Sequence, residues 1–262
     1  IHTGGTIIKT ARSERFRTPE GRKQAFENLK KFGIDCLVAI GGDGTFRGCA
    51  AFHEEYKFPI IGVPATIDND LYGTDFTIGY DTAVNTALDA INKIRDTSQS
   101  HNRFFIIEVM GRDAGFIGLE AGIAGGAENI LIPEVRTDID KICSEIKASF
   151  ERGKASNIIV VAEGDDSGGA YDIGAKIKEK TGIDYRVAIL GHIQRGGSPS
   201  AKDRLLASRL GYYSVKHIIE GKTNVMVGRI NAKIVLTDMK DTFEKKKTID
   251  PNDLEMAMVL AS

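Results

Sequence analysis

Seven short runs of the chain, at 35–40, 59–63, 104–110, 130–132, 157–162, 186–190 and 230–236, are continuously apolar rather than alternating. That pattern is the one expected of strands covered by helices on both faces. Between them, stretches 20–31, 80–95, 138–152, 171–180 and 202–220 place apolar residues near a 3.6-residue spacing. The β-α-β-α alternation predicts an α/β protein with a parallel sheet and right-handed crossovers. Six or seven strands fit one doubly wound sheet or two smaller ones, and fall short of the eight clear units of a (β/α)₈ barrel. At about 150 residues per domain, 262 residues allow roughly 1.7 domains. No internal repeat, Pro-rich linker or low-complexity tract marks a boundary.

Composition removes several classes of function. Lys and Arg number 35 against 36 Asp and Glu, a net charge of −1 that argues against general nucleic-acid affinity. A 42% hydrophobic and 27% charged chain is not disordered. Its best apolar runs last five to seven residues, far below the roughly 20 of a membrane span. Cys36, Cys49 and Cys143 are widely separated and read as buried small hydrophobes of a reducing compartment, hence a cytoplasmic protein. The chain opens Ile-His-Thr-Gly-Gly, with neither Met nor a signal peptide.

Glycine is in excess, 29 of 262, and its placement is ordered. Gly41-Gly42-Asp43-Gly44 follows run 35–40, Gly111 follows 104–110 and Gly191 follows 186–190. Ligands of open α/β sheets bind beyond the carboxyl ends of strands. Glycine there lets backbone approach a phosphate and offers N–H donors at the next helix N-terminus. Asp43 alone in such a loop would repel the anion; it makes sense if it holds Mg²⁺, which bridges phosphates with few carboxylate ligands. The G-G-D-G-T string also occurs in nicotinamide-dinucleotide kinases and lipid kinases.

Thr66-Ile67-Asp68-Asn69-Asp70 follows run 59–63. Its acids are either turn chemistry or a divided catalytic pair. In phosphoryl transfer to an alcohol, Asp68 would accept the hydroxyl proton, Asp70 would hold metal or water and Thr66 would orient Asp68. Arg103, Arg112, Arg186 and Arg195, with His192 between the last two, cluster near strand ends. Arg pairs with phosphate bidentately, so several of them in a neutral protein suggest a doubly anionic substrate.

Together these motifs resemble the 6-phosphofructokinases. The matching strings are G-G-T…A-R (4–12), IGGDGTFRG (40–48), GVPATIDND (62–70), RDTSQSHNRF (95–104), EVMGRDAG (108–115), IAGGAENILIPE (123–134) and LGHIQRGGSP (190–199), in the family's order. The resemblance implies transfer of the γ-phosphoryl of ATP to the 1-hydroxyl of fructose 6-phosphate. Asp68 is then the base beside Thr66 and Asp70, and Arg112 stabilises the transferred group. Asp43 and Asp70 organise Mg²⁺, while Arg12 and the loop Gly41, Gly42, Asp43, Gly44, Thr45 contact ATP. Met110, Gly111, Glu163, His192 and Arg195 hold the sugar phosphate. Arg103 and Arg186 reach a neighbouring subunit's site in a homotetramer. Arg95, Glu128, Arg152 and Lys154 form part of an effector site for nucleoside diphosphate or phosphoenolpyruvate.

The implied fold is two doubly wound, three-layer α/β/α domains facing a cleft. An ATP-binding domain would take 1–79 plus 194–244, and a fructose 6-phosphate-binding domain 80–193 plus 245–262. The family's first strand and its T-x-G-G-D loop have no match here. The expectation is therefore an absent N-terminal segment, poor stability, and little or no kinase activity for these 262 residues alone. Position 65 is Ala where ATP users usually have Gly and pyrophosphate users Lys, and position 44 is Gly where pyrophosphate users have Asp. Both small residues favour ATP over the pyrophosphate-dependent alternative.

Overall fold

Thr18 starts the first helix: its Oγ1 accepts the Gly21 N–H at 3.1 Å and Pro19 fills the first helical position. The computed structural model describes residues 1–101, 104–152 and 157–261. In chain order the elements are α1 (Pro19–Lys31), β1 (Leu37–Gly41), α2 (Asp43–Tyr56), β2 (Ile60–Thr66), β3 (Ile78–Gly79), α3 (Tyr80–His101), β4 (Phe104–Val109), α4 (Phe116–Ala124) and β5 (Asn129–Leu131). They continue as α5 (Ile139–Glu151), β6 (Asn157–Ala162), α6 (Ala170–Thr181), β7 (Tyr185–Ile189), α7 (Ala201–Ile219), β8 (Val225–Ile230), β9 (Lys233–Asp238), α8 (Asp241–Glu244) and α9 (Pro251–Ala261). No helix among the described residues is long and apolar enough to cross a membrane.

The chain forms two compact units. The first comprises Ile1–Thr66, Asp70–Gly79 and Pro199–Lys247; the second comprises Ile67–Asn69, Tyr80–Ser198 and Thr248–Ser262. In the first, the strand order is β1-β2-β8-β9, with β3 also paired to β2, and only the β8–β9 pairing is antiparallel. Phe46 and Phe52 of α2 pack on Ile60 and Met226 on one face, while Leu206 and Leu210 of α7 pack on Ile61, Val63 and Val227 on the other. The second unit has the wholly parallel order β5-β6-β4-β7. All six residues of β6 are buried. Ile158 and Val160 face Ala87 and Ile91 of α3 and Ile117 of α4; Ile159 and Val161 face Ile142 of α5 and Ile173 of α6. Successive residues thus enter opposite layers, which is why the run is continuously apolar.

One expected strand is corrected. Run 230–236 is not a single strand, because Asn231 and Ala232, at φ +48° and +66°, turn the chain back between β8 and β9. Two adjacent positive-φ residues give a tight hairpin whose twist suits the flanking strands. Strand β8 is interrupted in sequence by Gly228, where a Cβ would stand 2.1 Å from the Gly73 carbonyl oxygen. Helices α2, α4, α8 and α9 lie outside the expected helical stretches.

Candidate active site

In the first unit, β1 delivers Gly41 and Gly42 to the start of α2. A Cβ on Gly41 would meet Thr45 Oγ1 at 2.3 Å, and one on Gly42 would lie 3.3 Å from Thr66 Cβ, so packing alone favours glycine at both. Gly44 is different: a Cβ there meets nothing within 4 Å. No side chain caps α2, although within its first turn the Thr45 N–H already donates to the Gly42 carbonyl at 3.0 Å. Arg12 lies in an exposed segment with neither helix nor strand.

Asp43 takes the Arg47 Nε–H on both oxygens, at 3.0 and 2.9 Å. Arg47 also lies over the Phe243 ring at 4.5 Å. Thr66, at the end of β2, pairs with Gly79 of β3, and its carbonyl accepts the buried Thr77 hydroxyl at 2.7 Å. Gly79 N–H in turn donates to the buried Asp203 carboxylate at 2.9 Å. Asp70 is half-buried. Among the described residues no group of three or more His, Cys, Asp or Glu gathers as a cation site.

In the second unit, Asp68 is buried, its side chain 6% exposed, and its Oδ2 lies 3.4 Å from Nε of the 54% exposed Arg112. The adjacent Asn69 is buried in the left-handed region, φ +54°. Arg112 sits in the turn between β4 and α4 at φ +53°, after Gly111 at φ +148°. Its N–H donates to Glu163 Oε1 at 2.8 Å, bringing together two residues that the sequence places 51 positions apart. Met110 N–H donates to Gln194 Oε1 at 2.9 Å, tying the same strand end to the 191–195 turn that bears the exposed His192 and Arg195. Exposed Arg186 donates to the Tyr185 carbonyl at 3.1 Å.

Arg95 and Glu128 also meet, at 3.7 Å, and Arg95 donates to the Gly125 carbonyl at 2.7 Å while Glu128 Oε2 accepts the Ile158 N–H at 2.6 Å. Glu128 and Arg152 line one cavity of about 520 Å³. Arg103 and Lys154 lie outside the described residues. Sequence reasoning missed Gln194, which is 1% exposed, and Glu134, whose carboxylate accepts the Gly115 N–H. Both stand inside strings that carried the family resemblance, so the motifs contained the signal and the side chains' partners did not.

The phosphofructokinase family profile matches residues 1–218. The chain is 55% identical over 261 residues to ATP-dependent 6-phosphofructokinase 1 of Thermus thermophilus, covering all of this chain and 81% of that protein. It is 54% identical over 261 residues to the ATP-dependent 6-phosphofructokinase of Bacillus pumilus, with the same coverage. A solved phosphofructokinase structure from Saccharomyces cerevisiae superposes with a TM-score of 0.87 at 33% identity, over 93% of this chain and 36% of the yeast chain. The chain therefore spans about a third of that solved relative. With a family match over most of its length and relatives above half identity, this chain belongs to the phosphofructokinase family.

Proposed function

We propose that the protein is an ATP-dependent 6-phosphofructokinase, converting fructose 6-phosphate and ATP to fructose 1,6-bisphosphate and ADP. The observation that carries this reading is the buried Asp68 carboxylate beside the Arg112 guanidinium, on the loops that follow β2 and β4, each a strand paired parallel within its own sheet. Asp68 accepts the proton of the sugar 1-hydroxyl as its oxygen bonds to the γ-phosphorus. The bond from that phosphorus to the β,γ-bridging oxygen breaks, and its electrons leave with ADP. Arg112, within reach of Asp68 and exposed on its outer side, meets the charge on the transferred group. Thr66, held by Thr77, orients the Asp68 loop.

The α2 N-terminus with Gly41, Gly42, Gly44 and Thr45 cradles the nucleotide phosphates, with Arg12 contributing charge. Open space at Gly44 supports a donor bulkier than pyrophosphate. Asp43 and Asp70 would hold Mg²⁺, which when bound neutralises phosphate charge. Asp43 exchanges its Arg47 partner for that role. Met110, Gly111, Glu163, His192 and Arg195 hold fructose 6-phosphate. Arg103 and Arg186 serve a neighbouring subunit's site within a homotetramer. Arg95, Glu128, Arg152 and Lys154 bind an anionic effector, and the enzyme works in the cytoplasm. Assaying the full-length protein with fructose 6-phosphate and either ATP or pyrophosphate tests the donor. Turnover with ATP alone is expected, and turnover with pyrophosphate alone would refute it.

A further inference from the structure

We infer that Glu134, on the loop after β5, is a positioning residue that holds the Arg112 turn in its working conformation. The inference rests on the proposed role of Arg112. Arg112 occupies the left-handed region at φ +53°, a conformation a non-glycine residue keeps only when its surroundings fix it. The restraints are identifiable. Upstream of the α4 helix, Ala114 N–H closes onto the Gly111 carbonyl at 3.0 Å. Glu163 takes the Arg112 N–H, and Gly164 lies so close that a Cβ on it would stand 2.0 Å from the Arg112 carbonyl oxygen.

Glu134 fixes the other end of the turn. Both its oxygens accept the Gly115 N–H, at 2.9 and 3.1 Å. Gly115 is the N-cap of α4 and supplies no side-chain cap of its own, so the carboxylate also meets the positive end of that helix. The fit is close: a Cβ on Gly115 would lie 2.4 Å from Ile132 Cβ and 2.5 Å from Glu134 Oε2. Glu134 is itself exposed, so its carboxylate contributes little core packing. Loops after β5 and β6 therefore grip the two ends of a turn whose only exposed cationic side chain, Arg112, points within 3.4 Å of Asp68.

The test measures kcat and KM with fructose 6-phosphate and ATP for Glu134→Ala, Glu134→Gln, Gly164→Ala, Arg112→Ala and the double variant Glu134→Ala/Arg112→Ala, in the full-length protein. Small misplacements of catalytic groups cost about 10²-fold, so Glu134→Ala should lose on the order of 10-fold or more in kcat with KM for ATP little changed. Glu134→Gln, whose amide oxygen still accepts the N–H, should recover most of that loss. Gly164→Ala, which must displace the Arg112 carbonyl, should also lower kcat rather than raise KM. The double variant should match Arg112→Ala, because Glu134 acts through Arg112. Wild-type kcat in Glu134→Ala overturns the inference, as do losses that multiply in the double variant, no recovery by Gln, or failure of Glu134→Ala to fold. Wild-type kcat in Arg112→Ala overturns the proposed site together with it.

Discussion

Asp43 and Arg112 were both visible in the sequence because each sits in a glycine-bounded string after an apolar run. Their partners were not. Asp43 spends its carboxylate on Arg47 one helical turn away, and Arg112 depends on Glu163, Gly164 and Glu134 from two other loops. Only folding brings those loops to one strand end, so no spacing along the chain announces them. The cysteines show the same dependence on packing. Burial pushes the Cys49 thiol up to about 12, and burial also raises that of Cys143. At pH 8 a thiol of that value has roughly one molecule in 10⁴ as the reactive thiolate. Cys36 is exposed. A colorimetric thiol reagent at pH 8 should therefore label Cys36 quickly in the native protein, and Cys49 and Cys143 only after denaturant is added. Rapid native labelling of all three would show that the packing around α2 and α5 is wrong.

Strands were legible wherever both faces are covered, because the pattern then needs no register: β2, β4 and β6 are read directly as apolar runs. Recognition failed where local chemistry interrupts the pattern. Gly228 interrupts the apolar pattern of β8, though not the strand, because Gly73 backbone passes against it, and the Asn231–Ala232 turn hides a hairpin inside one apolar run. Helix α4 is nine residues long and buries five, so it shows no polar face from which a helical period could be read. Strand β6 carries the largest consequence, since its alternate residues belong to two different cores. Replacing the fully buried Ile158 by Ala should cost about 2–5 kcal/mol, the range for deleting such a side chain from a packed interior. Chemical denaturation measures this, and a loss below about 1 kcal/mol would place Ile158 at a surface instead.

The chain as a whole is two three-layer units threaded by one polypeptide, each with its parallel strands delivering loops at their carboxyl ends. The loop after β2 passes from one unit into the other at Ile67–Asn69 and returns at Asp70, so Asp68 belongs to a different unit from Thr66 and Asp70 despite being their neighbour in sequence. Asp68, as the acceptor of the hydroxyl proton, is the centre of the proposed mechanism. Steady-state turnover of Asp68→Ser with saturating fructose 6-phosphate and ATP decides it. The expected result is a fall in kcat of about 10²–10⁴-fold with KM for ATP nearly unchanged. A correctly folded Asp68→Ser protein that turns over at the wild-type rate would remove Asp68 from the chemistry and the proposed mechanism with it.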